Sequence, residues 1–176
     1  MNMTLDEIKA LICDVSDFPK PGIVSKDITP LLSSPEGLSA TVEYLGARVA
    51  ELNPDGILAI ESRGFVFGAA LAQRLLLPMH MVRKRGKLSR ESVSVRYELE
   101  YGFDHLEIHA NVIERGRRYL IVDDLLATGG TAAAATKLVH REGGIVAACA
   151  VVIELSFLDG RKVLDGCPVI SLITYE

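Results

Sequence analysis

Apolar positions along the chain follow two alternating rhythms. Mostly apolar runs at residues 56–60, 79–82, 119–122, 145–153 and 169–173 have the length of strands. Other stretches place apolar residues at helical spacing. Leu38, Val42, Leu45, Val49 and Leu52 define one helix face. That helix starts at Ser34-Pro35-Glu36, which supplies a cap, a proline at the first helical position and an acid near the positive end of the dipole. Asn53-Pro54-Asp55-Gly56 ends it with a turn. A helix of small residues is predicted over 65–75, and an alanine-rich one runs to about residue 142, where Gly143-Gly144 stops it. Strand, corner, helix, strand is the βαβ rhythm of a parallel sheet, so the expected class is α/β with helices flanking the sheet.

Three stretches depart from that rhythm. Thr4 and Glu7 read as a capping box opening a helix through about residue 15, which residues 18–21 break with two prolines. Residues 26–32, containing Pro30, read as extended chain or loop. Residues 84–102 are polar and charged without a clear period, which suggests a lid, an excursion or a disordered segment. Residues 106–109 read as a short edge strand. No repeat or linker interrupts the chain, and 176 residues fit a single domain.

Charge and cysteine content narrow the class. A net charge of -4 argues against a general nucleic-acid binder but leaves room for a local basic site. Cys13, Cys149 and Cys167 are odd in number and widely spaced, with no Cys-x-x-Cys. Reduced, mostly buried thiols are therefore expected, rather than disulfides or a zinc site. Acids early in the chain argue against a signal peptide, and the longest apolar run is far too short for a membrane span. A soluble, cytoplasmic protein is expected.

The most informative stretch is residues 122–131. An apolar strand delivers Asp123 and Asp124, then come Ala127-Thr128-Gly129-Gly130-Thr131 and a helix N-terminus. Two carboxylates at a strand end need partners. Side chains alternate along a strand, so the pair suits two neighbouring hydroxyls of one ligand better than a single shared ion. The loop offers bare amides, two hydroxyls and a helix dipole, as a phosphate monoester requires. Diol acceptors one turn from a phosphate cradle imply a ribose 5-phosphate. A simple strand-to-helix turn would leave the carboxylates unexplained.

Val122-Asp123-Asp124-Leu125-Leu126-Ala127-Thr128-Gly129-Gly130-Thr131 resembles the motif by which type I phosphoribosyltransferases bind phosphoribosyl pyrophosphate (PRPP). It is neither a Walker A loop nor a Rossmann fingerprint. Phe18-Pro19-Lys20-Pro21-Gly22-Ile23, Asp27-Ile28-Thr29-Pro30, Glu61-Ser62-Arg63-Gly64-Phe65, Arg83-Lys84-Arg85-Gly86-Lys87-Leu88 and Tyr97-Glu98-Leu99-Glu100-Tyr101-Gly102 resemble the adenine-specific members of that family. So does the tail from Ile153-Glu154-Leu155 onward. The resemblance covers nearly the whole chain in order. It implies a doubly wound, mainly parallel sheet with an N-terminal hood over about residues 1–33 and a flexible lid over about 84–102.

The implied reaction joins adenine to PRPP, giving AMP and pyrophosphate, with Mg²⁺ held mainly by substrate oxygens and water rather than by a protein cage. Asp123 and Asp124 would position the sugar and favour positive charge at its anomeric carbon. Ala127, Thr128, Gly129, Gly130 and Thr131 would hold the 5-phosphate. Ser62 and Arg63 lie at a strand's carboxyl end, where open α/β sheets bind ligands, and Arg63 can fork onto pyrophosphate. In the family this corner peptide is often cis. Arg83, Lys84 and Lys87, in a cluster with Arg85 and Arg90, suit a polyanionic leaving group. In the relatives part of this cluster crosses to a partner subunit, which implies a homodimer. In the lid, Glu100 would handle the proton on the base and Tyr101 would cover the ribose. Val24 and Lys26 would recognise the base through backbone groups, with Phe65 as apolar contact. Most relatives have Phe then Arg where this chain has Ser25 and Lys26, and Ser25 cannot stack on a purine. Two alternatives stand: the same chemistry on hypoxanthine, guanine or xanthine, and a PRPP-sensing protein without catalysis.

Overall fold

The computed structural model describes residues 3–98, 102–164 and 166–176. It divides into two compact units, Met1–Tyr44 and Leu45–Glu176. In the first, the capping box forms as expected: Thr4 Oγ1 accepts from Glu7 N and the Glu7 carboxylate accepts from Thr4 N at 2.7 Å. The helix it opens, α1 (Leu5–Ala10), is shorter than predicted. Cys13–Ser16 instead forms strand β1, antiparallel to β2 (Val24–Asp27), in the register Cys13↔Asp27 to Ser16↔Val24. A partner strand eight residues downstream overrides the local helical pattern. The Phe18–Pro19 peptide in the connection is cis, and Asp17 closes the turn by accepting the amide of Gly22 at 2.7 Å.

Residues 26–32 are also more ordered than a loop. After β2 the Asp27 carboxylate accepts the Thr29 amide and hydroxyl, starting the single turn α2 (Thr29–Leu32). Helix α3 (Pro35–Ala50) begins where predicted, with Ser34 Oγ accepting from Gly37 N. Its buried face in this unit runs through Gly37, Ala40 and Thr41, while Leu38 and Val42 are only half-buried. Small residues occupy the closest approach, where a Cβ on Gly37 would lie 2.7 Å from Leu11. Thr41 tolerates burial because its hydroxyl donates to the carbonyl of Gly37.

In the second unit, β3 (Gly56–Ile60), α4 (Gly64–Leu75) and β4 (Met79–Lys84) form one βαβ step. Strand β7 (Arg118–Leu126), helix α5 (Gly130–Arg141) and strand β8 (Ile145–Leu155) form another. Strands β5 (Ser92–Glu98), β6 (Phe103–His109) and β9 (Val169–Tyr175) complete a sheet ordered β5-β6-β4-β3-β7-β8-β9 among the described residues. Pairing is parallel from β4 through β9 and antiparallel at β5 and β6. All five residues of β3 are buried, as expected of a strand covered on both faces. Leu58 and Ile60 join the core that includes Ala135, Leu138 and Val139 of α5. On the alternate positions, Ala59 meets α4, and a Cβ on Gly68 would overlap that of Ala59.

Two predictions about this region are corrected. Residues 92–98 are not irregular: all seven pair with β6, and Val93, Val95 and Tyr97 alternate toward the core. Charged flanks obscured that period-two pattern. Strand β6 is therefore internal, and β5 forms the edge. The thiols also differ from expectation, since Cys149 is buried but Cys13 is exposed. No described helix is long and apolar enough to cross a membrane.

Candidate active site

From β3 the chain crosses to β4 on one side, and from β7 it crosses to β8 on the other. The carboxyl ends of β3 and β7 thus flank the point where the sheet's winding reverses, the usual ligand crevice of such folds. A cavity of about 660 Å³ opens there. Its walls are the corner Glu61, Ser62 and Arg63, the carboxylates Asp123 and Asp124, and the loop 127–131. Lys84, Tyr97 and Leu126 also line it.

Strand β7 continues through both aspartates, so its hydrogen bonding to β8 fixes their backbone. Alternation argued for opposite orientations, yet the carboxylates interact. The Asp123 side chain folds back, its Oδ1 accepting the Asp124 amide at 2.9 Å. Burial, then the neighbouring Asp124 charge, push the Asp123 carboxyl well above the ordinary carboxylate range. Burial raises Asp124 as well, and Arg63 opposes that shift. Arg63 Nη2 lies 2.8 Å from Asp124 Oδ2, whose side chain is 7% exposed. Gly64 makes this proximity possible, because a Cβ there would sit 2.8 Å from the Val122 carbonyl and 2.9 Å from Asp123 Oδ1.

Gly129 begins α5 with φ +83° and no side-chain cap, and the first helical bond is Ala133 N to Gly129 O. The amides before Ala133 have no intrahelical acceptor, and the helix dipole lies behind them. Thr128 is exposed, and Thr131 lines the same wall as Tyr97. Burial, the larger influence, pushes the Tyr97 phenol up. Two carboxylates, a guanidinium and the amides of a glycine loop therefore share one crevice.

Residues 31–170 match the phosphoribosyl transferase domain. The chain is 54% identical over 169 residues to an adenine phosphoribosyltransferase of Carboxydothermus hydrogenoformans, covering 96% of this chain and 99% of that one. This chain belongs to the adenine phosphoribosyltransferase family. Among solved adenine phosphoribosyltransferases, that of Thermoanaerobacter pseudethanolicus superposes with a TM-score of 0.96 at 52% identity, over 98% of this chain and 100% of the other. The Saccharomyces cerevisiae enzyme, solved with adenine and an imino-altritol bisphosphate, gives 0.89 at 38% identity, over 96% and 97%.

For a member of the adenine phosphoribosyltransferase family, the predicted residues divide clearly. Ser62, Arg63, Lys84, Asp123, Asp124 and residues 127–131 come together in the cavity wall. The Glu61–Ser62 peptide is cis. Arg83, Lys87 and Phe65 are not in that wall. Arg83 Nε lies 3.2 Å from Glu61 Oε2, its Nη1 bonds the Lys87 carbonyl, and its guanidinium lies 5.9 Å from the Phe65 ring centre. The Glu61 carboxylate also accepts the Lys84 amide, tying the corner to the end of β4. Lys84 Nζ is 3.2 Å from Asp104, while Arg85, Lys87 and Arg90 are exposed. In the first unit Val24 is exposed, whereas Lys26 is 9% exposed and paired with Asp14. Glu100 and Tyr101 lie outside the described residues.

Sequence reasoning missed Glu61, Gly64, Tyr97 and Gly160. The first two flank residues that were singled out, and Tyr97 closes the alternating run from Val93. Gly160 carried no local signal, because its role depends on a contact with Ala127.

Proposed function

We propose that this protein transfers the 5-phosphoribosyl group of PRPP to adenine, releasing pyrophosphate and forming AMP. The observation that carries the reading is the meeting of Asp123, Asp124 and Arg63 with the loop 127–131 in one crevice. The loop amides and the Thr128 and Thr131 hydroxyls hold the 5-phosphate. Asp123 and Asp124 accept the two ribose hydroxyls, and their negative charge favours the positive charge that grows at the anomeric carbon. Arg63 turns from Asp124 toward the pyrophosphate, and Lys84 adds a second cation as charge builds on the leaving group. Glu100, on its resemblance, handles the proton of the base, with Tyr101 excluding water.

Mg²⁺ fits this crevice as an ion carried by the substrate. The donor set is one carboxylate pair, and no cluster of three or more metal-ligating side chains occurs among the described residues. Asp123 and Asp124 would hold the ribose beside the ion, whose ligands would mainly be PRPP or pyrophosphate oxygens and water. When bound, Mg²⁺ would supply charge neutralisation for the pyrophosphate leaving group. The exposure of Arg85, Lys87 and Arg90 supports a homodimer in which part of this cluster serves the second copy's crevice. We place the protein in the cytoplasm, in line with its three free cysteines.

The test is product identity. Purified protein with PRPP and Mg²⁺ is given adenine, hypoxanthine, guanine and xanthine separately. AMP from adenine, at least a hundred times faster than nucleotide from the other bases, is expected. Preference for another base would overturn the choice of adenine. Tight PRPP binding without nucleotide from any base would favour a sensor.

A further inference from the structure

Beyond the residues that face the crevice, an ion pair between a buried carboxylate and a half-exposed arginine lies behind the phosphate loop. The segment Gly160–Leu164, a 3₁₀ turn, rests its backbone on that loop. A Cβ on Gly160 would overlap the Ala127 carbonyl, and a Cβ on Gly129 would overlap the Gly160 carbonyl. Val163 adds a side chain, its Cγ2 2.6 Å from the Cβ position of Gly129. The loop thus has a wall on its outer side with no spare room.

Arg161, the next residue, holds this wall in place. Its Nε and Nη2 fork onto the two carboxylate oxygens of Glu154 at 2.5 and 2.7 Å. Its Nη1 bonds the Val169 carbonyl at 3.3 Å. Ser171 Oγ donates to Glu154 Oε2 at 2.6 Å. The Glu154 side chain is 6% exposed. Hydrogen bonds from Arg161 hold its carboxyl below the ordinary range, against the effect of burial. Glu154 sits near the end of β8 directly opposite Leu126, the last residue of β7 before the loop. Glu154 therefore joins the two: its backbone pairs with the strand that enters the loop, and its carboxylate holds the segment that backs it.

We propose that Glu154 and Arg161 are positioning residues that set affinity for the 5-phosphate by clamping residues 160–164 onto the outer face of the loop 127–131. This rests on the reading that the loop binds the 5-phosphate of PRPP and AMP. A two-point fork onto a buried carboxylate fixes the guanidinium in one geometry even though its outer side meets solvent, and an amide cradle displaced by a fraction of an ångström loses several hydrogen bonds at once. The clamp touches no reacting atom, so its removal weakens binding of phosphorylated sugars without changing the base site.

The variants are Arg161→Lys, Arg161→Met, and the pair Glu154→Gln with Arg161→Met, which leaves no unpaired buried charge. Each is assayed by steady-state kinetics and by calorimetric titration with ribose 5-phosphate and, separately, pyrophosphate. Expected in the paired variant is a rise of at least tenfold in KM for PRPP and in the dissociation constant for ribose 5-phosphate. Expected too are KM for adenine and affinity for pyrophosphate within about threefold of wild type, with Arg161→Lys intermediate. If Arg161→Met does not fold, the paired variant and Arg161→Lys decide. Unchanged ribose 5-phosphate binding in a folded paired variant overturns the proposal, as does an equal loss for all ligands. Failure of the underlying reading looks different: wild type would not bind ribose 5-phosphate, or Gly130→Val would bind it as wild type does.

Discussion

Two adjacent glycines of the loop proposed to hold the 5-phosphate are expected to fail in opposite ways. Gly129 has φ +83°, and a Cβ there would overlap the Gly160 carbonyl while lying 2.6 Å from Val163. A left-handed conformation costs a non-glycine residue about 1–2 kcal/mol. Forcing a methyl into a full space costs about 1–3 kcal/mol more. Gly129→Ala should therefore lose about 2–5 kcal/mol, a large part of a typical total of about 5–15 kcal/mol. For a chain of this size that corresponds to a fall in Tm of about 4–20 °C. Gly130 has no such conflict. Its φ is not left-handed, and a Cβ there would meet only the Glu98 carbonyl at 3.6 Å. As the first residue of α5, it should tolerate Val with a loss of about 1 kcal/mol or less. A branched side chain there crowds the approach of a phosphate to the loop amides, so ribose 5-phosphate binding should weaken at least tenfold. Thermal unfolding of the free proteins and calorimetric titration separate the two effects. A Gly129→Ala protein as stable as wild type, or a Gly130→Val protein with unchanged affinity, would refute the reasoning.

The aspartate pair gives a pH-dependent expectation. Asp123 and Asp124 have raised folded pKa values against an ordinary 3.8, so above that value the folded state holds more protons and stability falls as pH rises. Asp123→Asn keeps the oxygen that accepts the Asp124 amide but removes this penalty. Its Tm should match wild type near pH 4 and exceed it by several degrees at pH 8; a gap that narrows with pH would contradict the sign. The double variant Asp123→Asn with Asp124→Asn should fold and lose at least 99% of turnover, and turnover within twofold of wild type would remove the diol role. Ser25→Phe should lower KM for adenine several-fold with kcat nearly unchanged, because stacking acts equally on ground and transition states. An unchanged or higher KM would mean that residue 25 does not face the base.

Much of the fold was legible because its signals are local. Strand β3 and helices α4 and α5 are bounded by a continuous apolar run, a polar corner and paired glycines, which act within a few residues of themselves. The motif at residues 122–131 was legible for the same reason, since strand, carboxylates and cradle are consecutive in the chain. Tertiary partners decided the rest. Residues 13–16 became a strand because 24–27 pair with them, and residues 92–98 because β6 does. Arg83 was drawn to Glu61, 22 positions away, by an ion pair that no local spacing encodes. The carboxylates of Asp123 and Asp124 meet because one side chain folds back on the next amide, a rotamer choice that strand alternation does not specify. The wall of Gly160 behind the loop, and its anchor through Arg161 and Glu154, arose only when β7 and β8 were placed side by side. Sequence determines which groups the site contains, because chemistry resides in side chains and short motifs. Their distances, burial and proton affinities depend on non-local packing, which only the tertiary structure sets.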